Sequence, residues 1–281
     1  MENLLALGIQ PIGSDLSNPD PHLQGKLEAI TNVGRDLGEP SIEAILTLKP
    51  DLIIAEDYLS VDYQILSNIA PTIIISFEHS GRWKDVFMEY AAALGKTDKA
   101  QQVMTDYYAR LEDFRRQYSG APDQLQVSIV RVYPDRVNLY LKDSFCGTVV
   151  ADAGLSRPPA QNFDAAQAQA RFGNSIQYSI AKERIKDADG DVMFLWATGA
   201  NQEIERQAQS AKAALKADLL WSRLKAVKTN RVYEVPGYWI GNGPLAANAI
   251  VDDLFKYLIE AQSNASDKTL KQHAMSTPEK T

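Results

Sequence analysis

Two short blocks limit what this chain can fold into: Leu52-Ile53-Ile54-Ala55 and Thr72-Ile73-Ile74-Ile75-Ser76. A strand with one wet face alternates apolar and polar residues. A strand that is apolar at every position is covered on both faces, which in a chain with interleaved helices means a parallel sheet. The helices are legible around these blocks. Residues 41–48 carry Ser41 at an N-cap, Glu43 in the first turn and Ile42, Ile45 and Leu46 as an apolar stripe, and Lys49-Pro50-Asp51 ends them. Residues 61–69 read as the next helix, closed by Pro71. Upstream, a helix closes near Leu7 before Gly8, and residues 10–13 read as a short strand. The class is α/β.

The rhythm changes at Trp83. No strand is expected from residue 83 to 118, and Val103, Tyr107, Leu111, Phe114 and Tyr118 share one helix face, with Gly95 interrupting the stretch without ending it. After Ser119-Gly120-Ala121-Pro122 the alternation resumes. Strands are expected at 127–133 and 137–141, joined by a turn at Pro134-Asp135-Arg136, and then at 192–196 and 231–235. Helices are expected at 145–153, 181–185, 204–216 and 244–261. This divides the chain into an amino-terminal lobe (1–82), a linking helical segment (83–120), a carboxy-terminal lobe (121–262) and a polar tail without apolar periodicity (263–281), read as disordered. The crevice between two such lobes is where a ligand is expected.

Composition removes several classes. The chain is 45% hydrophobic and 23% charged, so it is neither a disordered polymer nor a disulfide scaffold. A net charge of −7 argues against a nucleic-acid partner, which usually needs a basic stripe. Cys146 is the only cysteine and His22, His79 and His273 are far apart, so no soft-ligand metal centre is expected. No run reaches the ~18 apolar residues of a membrane span. Gly241-Asn242-Gly243-Pro244-Leu245-Ala246 matches a dinucleotide fingerprint, but no later strand can carry the ribose-binding acid, and it reads as a glycine turn with backbone close to a neighbour. Asp187-Ala188-Asp189-Gly190-Asp191 lacks the glycine and glutamate spacing of a calcium loop and reads as a solvated turn.

Aromatic and arginine side chains remain, gathered where strands end: Arg35, Trp83 after Arg82, Arg131 with Tyr133, Trp196, and Tyr238-Trp239. Ligands of open α/β sheets sit at the carboxyl ends of strands. Tryptophan and tyrosine supply rigid contact area with a polar tip, and arginine supplies a planar fork for anionic oxygen. The set points to a bulky, oxygen-rich ligand. The competing class is an enzyme acting in the same crevice, with His79, Glu56 and Asp57 as its nearest acid–base candidates.

Several blocks together resemble the substrate-binding proteins of iron-siderophore and cobalamin ABC importers. They are residues 4–13, Val33-Gly34 with residues 41–54 around Leu48-Lys49-Pro50-Asp51-Leu52-Ile53, residues 127–133 with Gly147 and residues 152–155, residues 180–195, and Tyr238-Trp239-Ile240-Gly241-Asn242-Gly243. The resemblance implies two Rossmann-like lobes with central mostly parallel sheets, joined by one long α-helix. It implies a binder and not an enzyme, with a ferric siderophore of hydroxamate or citrate-hydroxamate type as ligand and no covalent cofactor or protein-held metal. Cobalamin or haem is the alternative. It also implies a monomer that delivers its ligand to ABC importer permease subunits, in the periplasm or lipid-anchored on the outer face of the inner membrane. By position, Glu43 and Glu183 match the permease-docking glutamates, Trp239 the ligand-facing tryptophan, and Arg131 a position that holds siderophore oxygens. Such proteins carry a strand ahead of the helix that opens here at Met1, and a signal peptide; on this reading the sequence is expected to start without either.

Overall fold

The computed structural model describes residues 1–16, 21–34, 40–57, 62–199 and 202–260. In the amino-terminal lobe, helix α1 (Glu2–Ala6) leads to strand β1 (Gly13–Ser14), a 3-10 turn (Pro21–Leu23) and strand β2 (Thr31–Asn32). Helix α2 (Ile42–Leu48), strand β3 (Ile53–Glu56), helix α3 (Tyr63–Ser67) and strand β4 (Thr72–Ile75) follow. The local rules hold closely. The Ser41 hydroxyl accepts the Ala44 N–H at 3.3 Å and starts α2, and the Asp62 carboxylate accepts the Gln64 N–H at 2.8 Å and starts α3. The strand expected at 10–13 runs later, because Pro11 has no N–H to pair and the Ile12 carbonyl is the first acceptor from Thr31.

Both strand pairs of this lobe are parallel, Gly13 opposite Thr31 and Ile53 opposite Thr72. They form two separate two-stranded sheets, and a cavity of about 510 Å³ lies between β1 and β3.

The segment expected as one helical run is two helices, α4 (Trp83–Ala93) and α5 (Thr97–Gln117). They break at Gly95, whose φ of +61° ends α4 in the left-handed conformation that glycine adopts without strain. Neither helix is a bare spacer. Val86, Phe87, Tyr90 and Ala91 of α4 pack with Ala6, Leu7 and Ile75, in the core of the first lobe. Tyr107, Leu111 and Phe114 of α5 pack with Ile129, Phe194 and Ile250, in the core of the second. At 1.5 Å per residue, α5 spans about 31 Å.

The carboxy-terminal lobe is built on a five-stranded sheet. Its strands are β5 (Val127–Val132), β6 (Val137–Tyr140), β7 (Gln177–Ile180), β8 (Val192–Trp196) and β9 (Val232–Glu234), in the spatial order β7-β6-β5-β8-β9. The pairs β5–β8 and β8–β9 are parallel, while β5–β6 and β6–β7 are antiparallel. Around it lie helices α6 (Phe145–Asp152), α7 (Ala165–Phe172), α8 (Gln202–Lys216), α9 (Lys225–Lys228) and α10 (Pro244–Phe255). Strand β7 and helix α7 were not expected; α7 is announced by a capping box of Asp164 and Gln167. The short helix expected at 181–185 is a 3-10 turn (Lys182–Ala188). The closing helix becomes a π-helical turn at Lys256–Glu260, and the tail expected at 263–281 lies outside the described residues. One apolar core covers each face of the sheet, which is why Val127–Val132 and Val192–Trp196 are buried almost throughout.

Candidate functional site

The carboxyl ends of β5 and β8 lie side by side, with Arg131 opposite Trp196 in the parallel ladder, so their side chains leave the same face of the sheet. Tyr140 joins them from the end of β6. One Nη of Arg131 donates to the Tyr140 hydroxyl at 3.4 Å and the other to the Thr198 carbonyl at 3.2 Å. The tilted rings of Tyr140 and Trp196 are 5.2 Å apart. The guanidiniums of Arg131 and Arg136 lie 4.2 and 4.3 Å from the centre of the Tyr133 ring, so two cations share one aromatic face system at the rim. Arg136 is itself paired with Asp135 at 3.1 Å.

Two donors at this place are buried and have no acceptor among the described residues: Nε of Arg131 and Nε1 of Trp196. Leaving a buried N–H unpaired costs about 1–3 kcal/mol. Arg131 is half-buried and Trp196 is 1% exposed, so of the two residues it is Arg131 that reaches the surface.

Beneath this pair lies a buried polar frame. The Arg157 guanidinium donates to the Tyr140 carbonyl at 2.5 Å and to Oε1 of Gln161 at 2.6 Å. Gln161 in turn accepts the Ile129 N–H at 2.9 Å and donates to Ser128 Oγ at 2.7 Å, so the frame ties β5 to β6. Burial pulls the Arg157 pKa down to about 10. Burial also raises the Tyr140 phenol, more than Arg131 lowers it, so the hydroxyl stays neutral. Arg157 and Gln161 lie between α6 and α7 and carry no strand-end signal, whereas Tyr140 sits at the end of β6, where the pattern that marks Tyr133 could have found it.

The other expected residues are placed differently. Trp239 is fully buried. Its ring stacks on Phe194 at 4.3 Å and its indole N–H donates to Asp253 at 2.8 Å, so it presents no surface to a ligand in this structure. Tyr238, 9% exposed, donates to the same Asp253 oxygen at 2.7 Å. Trp83 is fully buried at the head of α4, donating to the Thr148 hydroxyl of α6 at 3.0 Å, where it anchors the linking segment to the second lobe. Arg82 is spent on Glu78 and Asp85, and Arg35 lies outside the described residues. The structure therefore brings together Arg131, Tyr133 and Trp196, with Trp239 6.4 Å behind Trp196.

The glycine turn at 241–243 approaches the protein itself: a Cβ on Gly243 would come within 2.9 Å of Glu2. The Glu2 carboxylate accepts the Ala246 N–H at 2.6 Å at the start of α10, so a side chain of α1 fills the place where a helix end attracts an anion. Glu43 is exposed in the first turn of α2, and Glu183 is exposed on the 3-10 turn of the other lobe. The enzyme candidates are held in local contacts: His79 Nδ1 accepts the Gly81 N–H, Asp57 accepts the Phe77 N–H, and Glu56 accepts the Tyr90 hydroxyl. Among the described residues no group of three His, Cys, Asp or Glu could hold a metal ion, and no helix is long and apolar enough to cross a membrane.

A family model described as periplasmic binding protein matches residues 1–238. The chain belongs to that family. A probable siderophore-binding lipoprotein of Bacillus subtilis strain 168, YfiY, is 34% identical over 268 residues, covering 93% of this chain and 80% of the relative. The achromobactin-binding periplasmic protein of Dickeya dadantii strain 3937 is 29% identical over 263 residues, covering 90% and 81%. Among solved structures, Staphylococcus aureus SirA complexed with staphyloferrin B superimposes with a TM-score of 0.76 at 25% identity, over 91% of this chain and 88% of SirA. This family member therefore has siderophore-binding relatives and an α/β, two-lobed fold in common with them.

Proposed function

We propose that this protein binds a ferric siderophore between its lobes and hands it to the permease of an ABC importer. The observation that carries the reading is the half-buried Arg131 at the carboxyl end of β5, whose Nε has no acceptor among the described residues, in a fold shared with siderophore-binding relatives. The chelator already wraps the iron, so the protein need only meet the chelate's outer oxygens. Arg131 supplies charge and a directed N–H and Tyr133 the flat apolar edge, with Trp196, only 1% exposed, packed behind them. Tyr238 and Trp239, held by Asp253, act behind this surface as its support. A single directed cation suits a hydroxamate or citrate-hydroxamate chelate better than a triscatecholate, whose higher charge calls for several. The reading places the protein outside the cytoplasm, as the names of its periplasmic and lipoprotein relatives do for them. Glu43 and Glu183, one exposed on each lobe, would meet arginines of the permease, where opposite charge speeds encounter and fixes register.

The test is a titration with ferric and iron-free hydroxamate and citrate-hydroxamate siderophores, read by tryptophan fluorescence, with ferric triscatecholate, cobalamin and haem as comparators. Saturable quenching is expected from the ferric forms of the first two. Arg131→Ala should raise Kd about tenfold or more, since a charge-assisted hydrogen bond contributes about 1.5–3 kcal/mol. Quenching by cobalamin or haem alone, or an unchanged Kd in a folded Arg131→Ala variant, would overturn the assignment.

A further inference from the structure

The register of the carboxy-terminal sheet carries the surface around Arg131 across two more strands. Arg131 of β5 lies opposite Asn138 of β6, and Asn138 lies opposite Ser179 of β7. The three side chains therefore leave one face of the sheet in a single row, at the end where β5 and β8 finish. Tyr140 and Gln177 stand opposite each other two residues further back, on the same face. The other face of these strands is apolar, with Val130, Leu139, Tyr178 and Ile180 in one core. On the face that carries Arg131, the apolar core takes in Tyr140 but no residue of β7. Polar side chains take over there.

The row is joined by hydrogen bonds that run in one direction. The Ser179 hydroxyl donates to Asn138 Oδ1 at 2.7 Å, and Asn138 Nδ2 donates to Gln177 Oε1 at 2.9 Å. Asn138 is only 4% exposed, while Ser179 is exposed and Gln177 half-buried. With its proton committed to Asn138, Ser179 Oγ keeps lone pairs with which to accept; with Oε1 of Gln177 taken, its Nε2 keeps protons to donate. Strands disfavour asparagine, and a merely solvated face has no need of a buried one that orients its two neighbours.

We propose that Ser179 and Gln177, oriented by Asn138, form a subsite for one secondary amide in the part of a ferric chelate that holds no iron. The subsite deepens the siderophore reading and rests on it. A secondary amide points one N–H and one C=O in opposite directions. Ser179 Oγ accepts from the first, and Gln177 Nε2 donates to the second. Residues two apart in a strand are separated by about 6.6 Å, a span that takes one amide with a hydrogen bond of about 2.9 Å on either side. Asn138, Gln177 and Ser179 are neutral, so they select by hydrogen-bond pattern where Arg131 selects by charge. Because Arg131 is the neighbour of Asn138 in the row, a chelate whose outer oxygen meets Arg131 lays its arm across β6 toward β7, the edge of the sheet. An ester in place of the amide has no N–H and leaves Ser179 Oγ without its donor.

The probes are two ferric chelates joined through secondary amides, a citrate-hydroxamate and a linear trihydroxamate, each beside its ester analogue. Kd is measured by tryptophan fluorescence for the natural chain and for Ser179→Ala, Ser179→Thr, Gln177→Met and Arg131→Ala. Substitutions at such surface positions change stability little, and each variant should melt as the natural chain does. With the amide chelate that binds, Ser179→Ala and Gln177→Met should each raise Kd about threefold to tenfold, as loss of one neutral hydrogen bond does. Ser179→Thr keeps the hydroxyl and should stay within about twofold. The ester analogue should bind the natural chain about threefold or more weakly, and Ser179→Ala should weaken it no further. Unchanged Kd for the amide chelate in both Ser179→Ala and Gln177→Met overturns the subsite, as does an equal loss in Ser179→Ala with amide and ester. A weakened Arg131→Ala beside unaffected Ser179→Ala and Gln177→Met removes the subsite alone, whereas binding of none of the probes removes the siderophore assignment and the subsite with it.

Discussion

Asp253 is the residue whose removal tests how the second lobe holds the Gly237–Ile240 turn. One of its carboxylate oxygens accepts both the Tyr238 hydroxyl at 2.7 Å and the Trp239 indole N–H at 2.8 Å, and all three side chains are buried. Asp253→Ala leaves two buried donors without an acceptor. At about 1–3 kcal/mol each, the loss would be about 2–6 kcal/mol. Part is returned, because the carboxylate is itself held at a cost: burial raises its pKa, against the two hydrogen bonds that lower it. The expectation is a net loss of about 2–4 kcal/mol, a large share of a total stability of about 5–15 kcal/mol. In a chain of this size it appears as a drop of about 4–16 °C in Tm. The assay is urea unfolding followed by far-ultraviolet circular dichroism, with the slope unchanged. Tyr238→Phe removes one of the stranded donors, so Asp253→Ala should cost about 1 kcal/mol less in that background. A loss below about 1 kcal/mol, or no coupling to Tyr238, would refute the argument that these hydrogen bonds fix the turn.

Three further outcomes follow from the same structure. Because burial raises Asp253 above the ordinary carboxylate range near pH 4, the unfolded chain ionises first as pH rises, and the native state loses stability from there up to the raised value. The stability difference between the natural chain and Asp253→Asn should therefore shift against the natural chain as pH rises through that window, and a flat difference curve would contradict it. Cys146 is fully buried and its thiol is pushed up to about 11, so a thiol reagent should label it only after denaturation; labelling of the native protein would show that the α6 face opens. Glu43→Ala and Glu183→Ala should leave siderophore Kd within about twofold while lowering uptake in cells about threefold or more. A matching collapse in Kd would remove both residues from the docking surface.

Local structure was legible wherever one residue's chemistry decides it. Ser41 starts α2 as its hydroxyl requires, and the Pro134-Asp135-Arg136 turn joins β5 to β6. The apolar blocks at Ile53–Glu56 and Thr72–Ile75 pair in parallel, but they are only partly covered, with Ile74 37% exposed. Gly95 was visible as an interruption but not as a stop, because glycine's cost inside a helix is small, and the break lets Ala91 before it and Ala100 after it pack in one core. The parts of the site separate along the same line. That arginine and aromatics gather at strand ends is a property of the chain order, and Arg131, Tyr133 and Trp196 do come together. Whether such a side chain faces the cleft or the core depends on which distant segment covers it. Trp83 is covered by α6 and Trp239 by α10 through Asp253, contacts that span 65 and 14 positions. Periodicity reports the burial of a face and cannot say what buries it. The sequence by itself determined the α/β alternation, the helix starts and the residue types available to a ligand. Tertiary packing decided which of those side chains keep an unpaired donor, because that depends on acceptors brought in, or left out, by parts of the chain far away.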